Sequence, residues 1–308
     1  GDWDMSKWQK SPSRRQFLSG SAAAVAGSMS AGAAAAQTPD PLITQVQDWA
    51  SYAGDGVDEV RYGLPIRFED DVVRRNVPWL TADPISSINF TPIHALDGTI
   101  TPQGCAFERH HSGAIELRKQ DYRLMVNGLV DRPIILTYAD LERLPRVNHV
   151  YFCECAANTG MEWAGAQLNG AQFTHGMIHN MEYTGVPLRL VLQQAGLAAA
   201  EDLSNKWVFV EGADASSNGR SIPMEKALDD VIVAFKANGE ALRKEHGYPV
   251  RLVVPGWEGN LWVKWLRRIE VTDRSVESRE ETSKYTDVLA NGMARKWTWV
   301  MDAKSVIT

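Results

Sequence analysis

The sequence predicts an α+β protein in which short strands outnumber helices. Three observations support this: β-branched and aromatic residues fall in short runs, Pro, Gly and Asn separate those runs, and one segment alone carries a clear helical apolar stripe. At 308 residues the chain is long enough for about two domains and for a large core without disulfide support. Hydrophobic residues at 44% and charged residues at 23% exclude a disordered chain or a polytopic membrane protein. A net charge of −6 argues against a nucleic-acid partner. Cys105, Cys153 and Cys155 are too few for a disulfide framework.

From the N-terminus, Ser13-Arg14-Arg15-Gln16-Phe17-Leu18 precedes an Ala-rich stretch to Ala36, the layout of a twin-arginine export signal over residues 1–36. Ser19, Gly20, Ser21, Gly27, Ser28, Ser30 and Gly32 leave that stretch too polar to serve as a membrane anchor. The expectation is a periplasmic protein exported folded, a route suited to chains that take up a cofactor first. Residues 37–95 predict an extended arm, with a short helix around Leu42 to Trp49 and Pro-marked segments at Leu64-Pro65-Ile66 and Val77-Pro78-Trp79. In 96–272, Arg123 to Val126, the turn Asn127-Gly128 and Leu129-Val130 predict a hairpin. Thr137 and Asp140 predict a capping box opening a helix to Leu144, and Pro145 separates it from a strand over Asn148 to Cys153. Pro187, then Leu188, Val191, Leu192 and Ala195 with Gly196 behind them, predict the clearest helix. Trp207 to Val210, Val231 to Phe235, Arg251 to Val254, Trp262 to Leu266 and Ile269 to Thr272 predict strands. Residues 273–308 predict a charged linker, Asp273 to Lys284, and the beginning of a further β domain around Trp297 to Val300.

Four segments carry residues suited to chemistry. Cys153-Glu154-Cys155 ends a predicted strand, so its two sulfurs share a face. They are either small core residues or a soft-metal ligand site, and spacing does not choose. Phe107-Glu108-Arg109-His110-His111 groups a cation with two imidazoles, a set that holds anionic phosphate or a metal, or simply lines a solvated loop. His246 and Arg251 flank the mouth of a strand, and Trp262-Val263-Lys264-Trp265 sets a Lys between aromatics. A zinc-binding structural protein using Cys153, Cys155, His110 and His111 is the non-enzymatic reading, although the spacing matches no zinc finger.

Taken in order, these motifs resemble the sulfite oxidase family of molybdenum enzymes. Cys155-Ala156-Ala157-Asn158 resembles the family's C-[AS]-[GA]-N motif, which implies that Cys155 is the protein ligand to molybdenum. Phe107 to His111 resembles the stretch that clasps the molybdopterin. His246, Arg251 and Trp262-Val263-Lys264 resemble two further pterin contacts, and Asp214 ahead of Ser221-Ile222-Pro223 matches a pterin-binding aspartate. The resemblance spans roughly 95–290. It implies a sulfite-oxidase-type fold of mixed sheets with flanking short helices, followed by the start of an immunoglobulin-like dimerisation domain. It also implies a molybdenum–molybdopterin cofactor, oxygen transfer to sulfur, and a separate c-type cytochrome as electron acceptor. Tyr285 matches an active-site tyrosine, and Arg109 would orient oxygen beside it. Two departures bear on substrate. Thr159-Gly160 stands where sulfite oxidases and nitrate reductases carry two arginines, and Tyr183, in Glu182-Tyr183-Thr184-Gly185-Val186-Pro187-Leu188, replaces a pocket tryptophan. With the doubled Cys-Glu-Cys, these features resemble the sulfane dehydrogenase branch of the family, which implies sulfur held on a carrier protein as substrate and makes free sulfite the alternative.

Overall fold

A computed structural model describes residues 63–81, 83, 85–197 and 202–307. The expected signal segment, the helix around Leu42 to Trp49 and the rest of the arm up to residue 62 lie outside the described residues. Among the described residues no helix is long and apolar enough to cross a membrane.

In chain order the strands are β1 (Arg75–Asn76), β2 (Ser87–Phe90), β3 (Arg109–His110), β4 (Arg123–Gly128), β5 (Ile134–Thr137), β6 (Val147–Glu154), β7 (Ile178–Pro187), β8 (Trp207–Gly212), β9 (Gly219–Pro223), β10 (Ile232–Ala237), β11 (Glu240–Ala241), β12 (Arg251–Val253), β13 (Leu266–Thr272), β14 (Thr286–Val288) and β15 (Ala294–Lys296). The helices α1 (Tyr138–Arg143), α2 (Ala171–His175), α3 (Leu188–Gln194), α4 (Met224–Asp229) and α5 (Arg279–Lys284) are all short. One mixed sheet has the order β5-β4-β13-β8-β9, with β13 parallel to β4 and antiparallel to β8. A second has the order β11-β10-β7-β6, with β12 also on β10. Strands β1, β2 and β3 form a small third sheet. This is the α+β arrangement of mixed sheets and flanking short helices that the sequence predicts.

Local chemistry accounts for several elements. Thr137 and Asp140 form the reciprocal capping box at α1, each satisfying a backbone N–H of the other's residue. Leu188, Val191, Leu192 and Ala195 are all fully buried, so the apolar stripe of α3 faces the core, and Gly196 behind it sits at φ +90°. Alternation in β4 buries Leu124 and Val126 while Arg123 and Met125 face out.

Three sequence expectations are corrected. Asn127-Gly128 is not the hairpin turn: β4 runs through both residues and pairs with β5, with Val126 opposite Ile134. The other edge of β4 follows β13, and a Cβ on Gly128 would lie 2.1 Å from the Val271 carbonyl, so close strand approach and φ +87° explain the glycine. Trp262 to Leu266 is not a strand before Leu266. Its carbonyls are taken elsewhere: Trp262 O accepts from Arg251 Nη2 at 3.0 Å and Val263 O accepts from the Leu252 N–H at 2.8 Å, so the backbone wraps around the Arg251 side chain. The charged linker contains α5, opened by a second capping box between Ser278 and Glu281.

Residues 273–307 belong to the same compact unit as the sheets. After the β14–β15 hairpin, Trp299 stacks on Trp257 at 4.7 Å between ring centres. Two strands make no sandwich, so the described residues do not establish an immunoglobulin-like domain. Glu281 ties this segment to β9: its buried carboxylate accepts from the Ser221 N–H at 2.5 Å and the Ser278 N–H at 2.8 Å. Glu281→Ala leaves those buried donors unsatisfied and is expected to cost roughly 2–4 kcal/mol in urea unfolding. Arg279→Ala on the exposed face of α5 should stay within about 0.5 kcal/mol of wild type, and equal losses in both variants would contradict the assignment.

Candidate active site

The two large sheets and the small one meet at an open recess lined by residues from all three. β6 delivers Cys153 and, one step past its end, Cys155; β3 delivers Arg109 and His110; β9 delivers Arg220; β12 delivers Arg251. Strand β7 adds His179, which lies directly across from Cys153 in the β6–β7 register. All three cysteines are free thiols.

The recess is cationic in an unusual way. Arg109, Arg220, Arg251 and Lys264 line it, and among the described residues none has a carboxylate within ion-pair distance. Instead, backbone carbonyls hold them. Arg251 donates to Leu252 O, His246 O and Trp262 O at 3.3, 3.2 and 3.0 Å. Lys264 Nζ donates to Arg109 O at 3.0 Å and Glu245 O at 2.8 Å. Arg109 donates to Ser87 O at 3.2 Å and to His111 Nδ1 at 3.0 Å. Carbonyl dipoles fix these groups without cancelling their charge, which leaves a field that favours an anion.

The three wall carboxylates are already engaged. Glu108 pairs with His110 at 2.6 Å and accepts from Asn89 Nδ2 at 2.7 Å and from the Ser87 hydroxyl. Burial alone would raise its carboxyl, but the His110 hydrogen bond, the Lys264 charge and Ser87 outweigh burial and hold it below the usual range. Glu245 pairs with Arg74 at 2.9 Å. Asp214 accepts from the Ser216 hydroxyl and the Asn218 N–H.

Burial, with Arg109 beside it, pushes His111 down to about 4, so at neutral pH its Nδ1 accepts from Arg109 and its Nε2 carries the proton. Burial lowers Lys264 to about 8, with Glu108 opposing and Arg251 assisting. Burial also raises Cys155, but the Ala157 N–H and the Arg109 charge pull that thiol back, whereas Cys153, fully buried beside it, is pushed up to about 12. Cys155 is therefore the sulfur better placed to become a thiolate. His179 and His246 each leave a buried Nδ1 without a partner in the wall.

Most of the residues predicted from sequence come together here. Phe107, Glu108, Arg109, His110, His111, Cys155, Asp214, His246, Arg251, Trp262, Lys264 and Tyr285 all line the recess. Two do not. Val263 is a core residue whose side chain packs toward Gly212, because the irregular backbone turns Trp262 and Lys264 inward on either side of it. Tyr183 is fully buried behind the wall, with its ring edge-on to Trp262 and 5.8 Å from the Arg251 guanidinium carbon, and its hydroxyl 2.9 Å from His179 Nε2. Sequence reading missed His179, Arg220, Asn218 and Asn260. The only available signals were a basic residue in the small, extended run Gly219 to Pro223 and a His four before Tyr183. The zinc reading gains no support, since no group of three or more His, Cys, Asp or Glu among the described residues is placed to hold a metal ion.

Comparison with known proteins agrees with the geometry. Residues 111–280 match the family described as the oxidoreductase molybdopterin binding domain. The chain belongs to this family. It is 34% identical over 227 residues to mitochondrial sulfite oxidase of Mus musculus, covering 70% of this chain and 40% of that protein. It is 36% identical over 193 residues to the NADH nitrate reductase of Volvox carteri, covering 59% of this chain and 22% of that protein. It thus spans less than half the length of these curated relatives. Among solved structures, the sulfane dehydrogenase SoxCD from Paracoccus pantotrophus superposes with a TM-score of 0.77 and 70% identity over 88% of this chain and 68% of that one.

The recess fits the family's cofactor on its own chemistry: one thiol for a soft metal, four unneutralised cations for a phosphate, and unpartnered imidazole nitrogens for a nitrogen-rich ring. Cys155→Ser is expected to lose molybdenum, measured by mass spectrometry, while Cys153→Ser keeps it; equal loss in both would refute the assignment. Because its ammonium is lost as pH rises through about 8, Lys264 should hold an anionic cofactor less well on the alkaline side. Pterin retained through gel filtration should fall between about pH 7 and about pH 9.5, and Lys264→Arg, which stays charged, should flatten that fall.

Proposed function

We propose that this chain is a molybdenum-dependent, periplasmic sulfur-oxidising dehydrogenase acting on sulfane sulfur carried on a protein thiol. It would pass electrons to a separate c-type cytochrome. The observation that carries the reading is the joining of Cys155 to four carboxylate-free cations in one recess, within a chain 70% identical to a sulfane dehydrogenase. The motif Ser13 to Leu18 supports export, and a folded, cofactor-loaded cargo suits that route.

When bound, the molybdopterin supplies a metal that takes up two electrons as oxygen passes to sulfur. The chain's own residues do the rest. Cys155 would hold the metal, and Arg251, Lys264 and His246 would hold the anionic cofactor along the wall. Tyr285 keeps its proton well into the alkaline range, because burial raises its phenol more than Arg220 lowers it. It can therefore donate to an oxygen on sulfur at neutral pH. Arg109, pinned by Ser87 and His111, offers a fixed charge beside Cys155. Each oxygen added to sulfur comes from water and releases two protons and two electrons.

The test is cytochrome c reduction by the molybdenum-loaded protein with two donors, free sulfite and a carrier bearing a cysteine persulfide. Turnover on the carrier at least about tenfold above sulfite, in kcat/KM, is expected. Preference for sulfite would move the assignment to a sulfite dehydrogenase, and inactivity with both would refute it.

A further inference from the structure

Among the described residues, Arg220 is the one cation lining the recess that neither the motifs nor the proposed chemistry accounts for. It is 2% exposed, comes from β9, and points into the recess. Its placement is over-determined. Nε donates to Asn260 Oδ1 at 3.0 Å, and Asn260 Nδ2 in turn donates to Glu258 Oε2 at 2.6 Å, which fixes the amide's orientation. One Nη donates to Gly219 O at 2.7 Å, and the guanidinium plane lies 4.7 Å from the centre of the Tyr285 ring. The guanidinium also hydrogen-bonds the Tyr285 hydroxyl, which leaves two of its five N–H groups to face the recess. The cation has no carboxylate within ion-pair distance among the described residues, and burying such a charge is costly unless an anion joins it.

The position within the recess matters. Arg220 acts electrostatically on His111, on Tyr285 and, across Asn260, on Glu258, and Tyr285 in turn senses Cys155. Arg251 and Lys264 instead act on Cys153, His179 and His246. The recess therefore has two cationic ends, and Arg220 belongs, with Arg109, to the Cys155–Tyr285 end. The loop that leaves Cys155, Ala156-Ala157-Asn158-Thr159-Gly160, brings no cation of its own to that end.

We infer that Arg220 is the oxyanion-binding residue of the substrate end, receiving the sulfonate oxygens that accumulate on sulfur, with Asn260 as its positioning residue. The inference rests on the sulfur-oxidation reading, and it makes the site specific for sulfur that bears, or acquires, several anionic oxygens. A guanidinium offers paired N–H donors to two oxygens of one group, whereas Lys would offer a point charge.

The experiment compares wild type, Arg220→Met, Arg220→Lys and Asn260→Ala, each molybdenum-loaded. Inorganic sulfate serves as the probe, with binding followed by calorimetry and molybdenum and pterin content determined alongside. Expected are full cofactor content throughout, sulfate binding weakened at least about tenfold in Arg220→Met, an intermediate loss in Arg220→Lys, and a smaller loss in Asn260→Ala. With the carrier substrate, the Met variant should show raised KM for partly oxidised carrier more than for the unoxidised persulfide. Unchanged sulfate affinity in Arg220→Met overturns the inference. So does loss of pterin in both Arg220 variants, which would make Arg220 a cofactor residue instead. If wild type oxidises neither donor but still binds sulfate through Arg220, the sulfur-oxidation reading fails while the anion site stands.

Discussion

The fold is organised around keeping four cations inside a protein without neutralising them. Burying a guanidinium or ammonium beside a carboxylate is the ordinary solution, and it would have cancelled the field an anionic ligand needs. Here the backbone provides the solvation instead. The Trp262 and His246 carbonyls serve Arg251, the Arg109 and Glu245 carbonyls serve Lys264, and the Gly219 carbonyl serves Arg220. A carbonyl that solvates a side chain is lost to a ladder, so strand structure stops at these places. The break between β12 and β13, with Trp265 at φ +50°, is a direct consequence. Irregular backbone near the site is thus a structural requirement of its charge.

The same constraint explains the carboxylates. Glu108, Glu245 and Asp214 all reach the recess, yet each is committed to a partner that is not one of the four cations. Glu108 is the most informative. Its two oxygens are held by His110, Ser87 and Asn89, so the extended segment before the main domain, through β2, decides that this carboxylate stays off Arg109. The segment read from sequence as an arm thus braces the wall through Ser87 and Asn89.

What was legible in the sequence follows from this arrangement. Residues that act as neighbours in the chain, such as Arg109 with His111, leave a contiguous pattern, and the structure brings Arg109, His111 and Cys155 to one recess. The α1 capping box and the α3 stripe were legible for the same reason, since their physics is local. Arg220 and His179 were not, because each is a single residue whose meaning depends on strand register: His179 matters because β7 sets it opposite Cys153. Strand β7 itself was missed, its sequence mixing His179, Asn180 and Glu182 into what is a central strand of its sheet. The position of Tyr183 in a resembling motif says which residue it replaces but not that its hydroxyl would meet His179 from behind the wall.

The limits of the family match are instructive in the same way. The match covers 111–280, yet Phe107, Glu108 and Arg109 precede it, and Glu281 and Tyr285 follow it. Glu281 caps its own helix and the edge of β9 with one carboxylate, so α5, Tyr285 and Arg220 are held together by a single buried group. Of the recess residues around Cys155, Arg220 and Asn260 lie inside the matched span while Arg109 and Tyr285 lie on either side of it, so this end of the recess is closed only when the segments flanking the matched span fold against it. The end around Arg251 and Lys264 draws both of its cations from within the span.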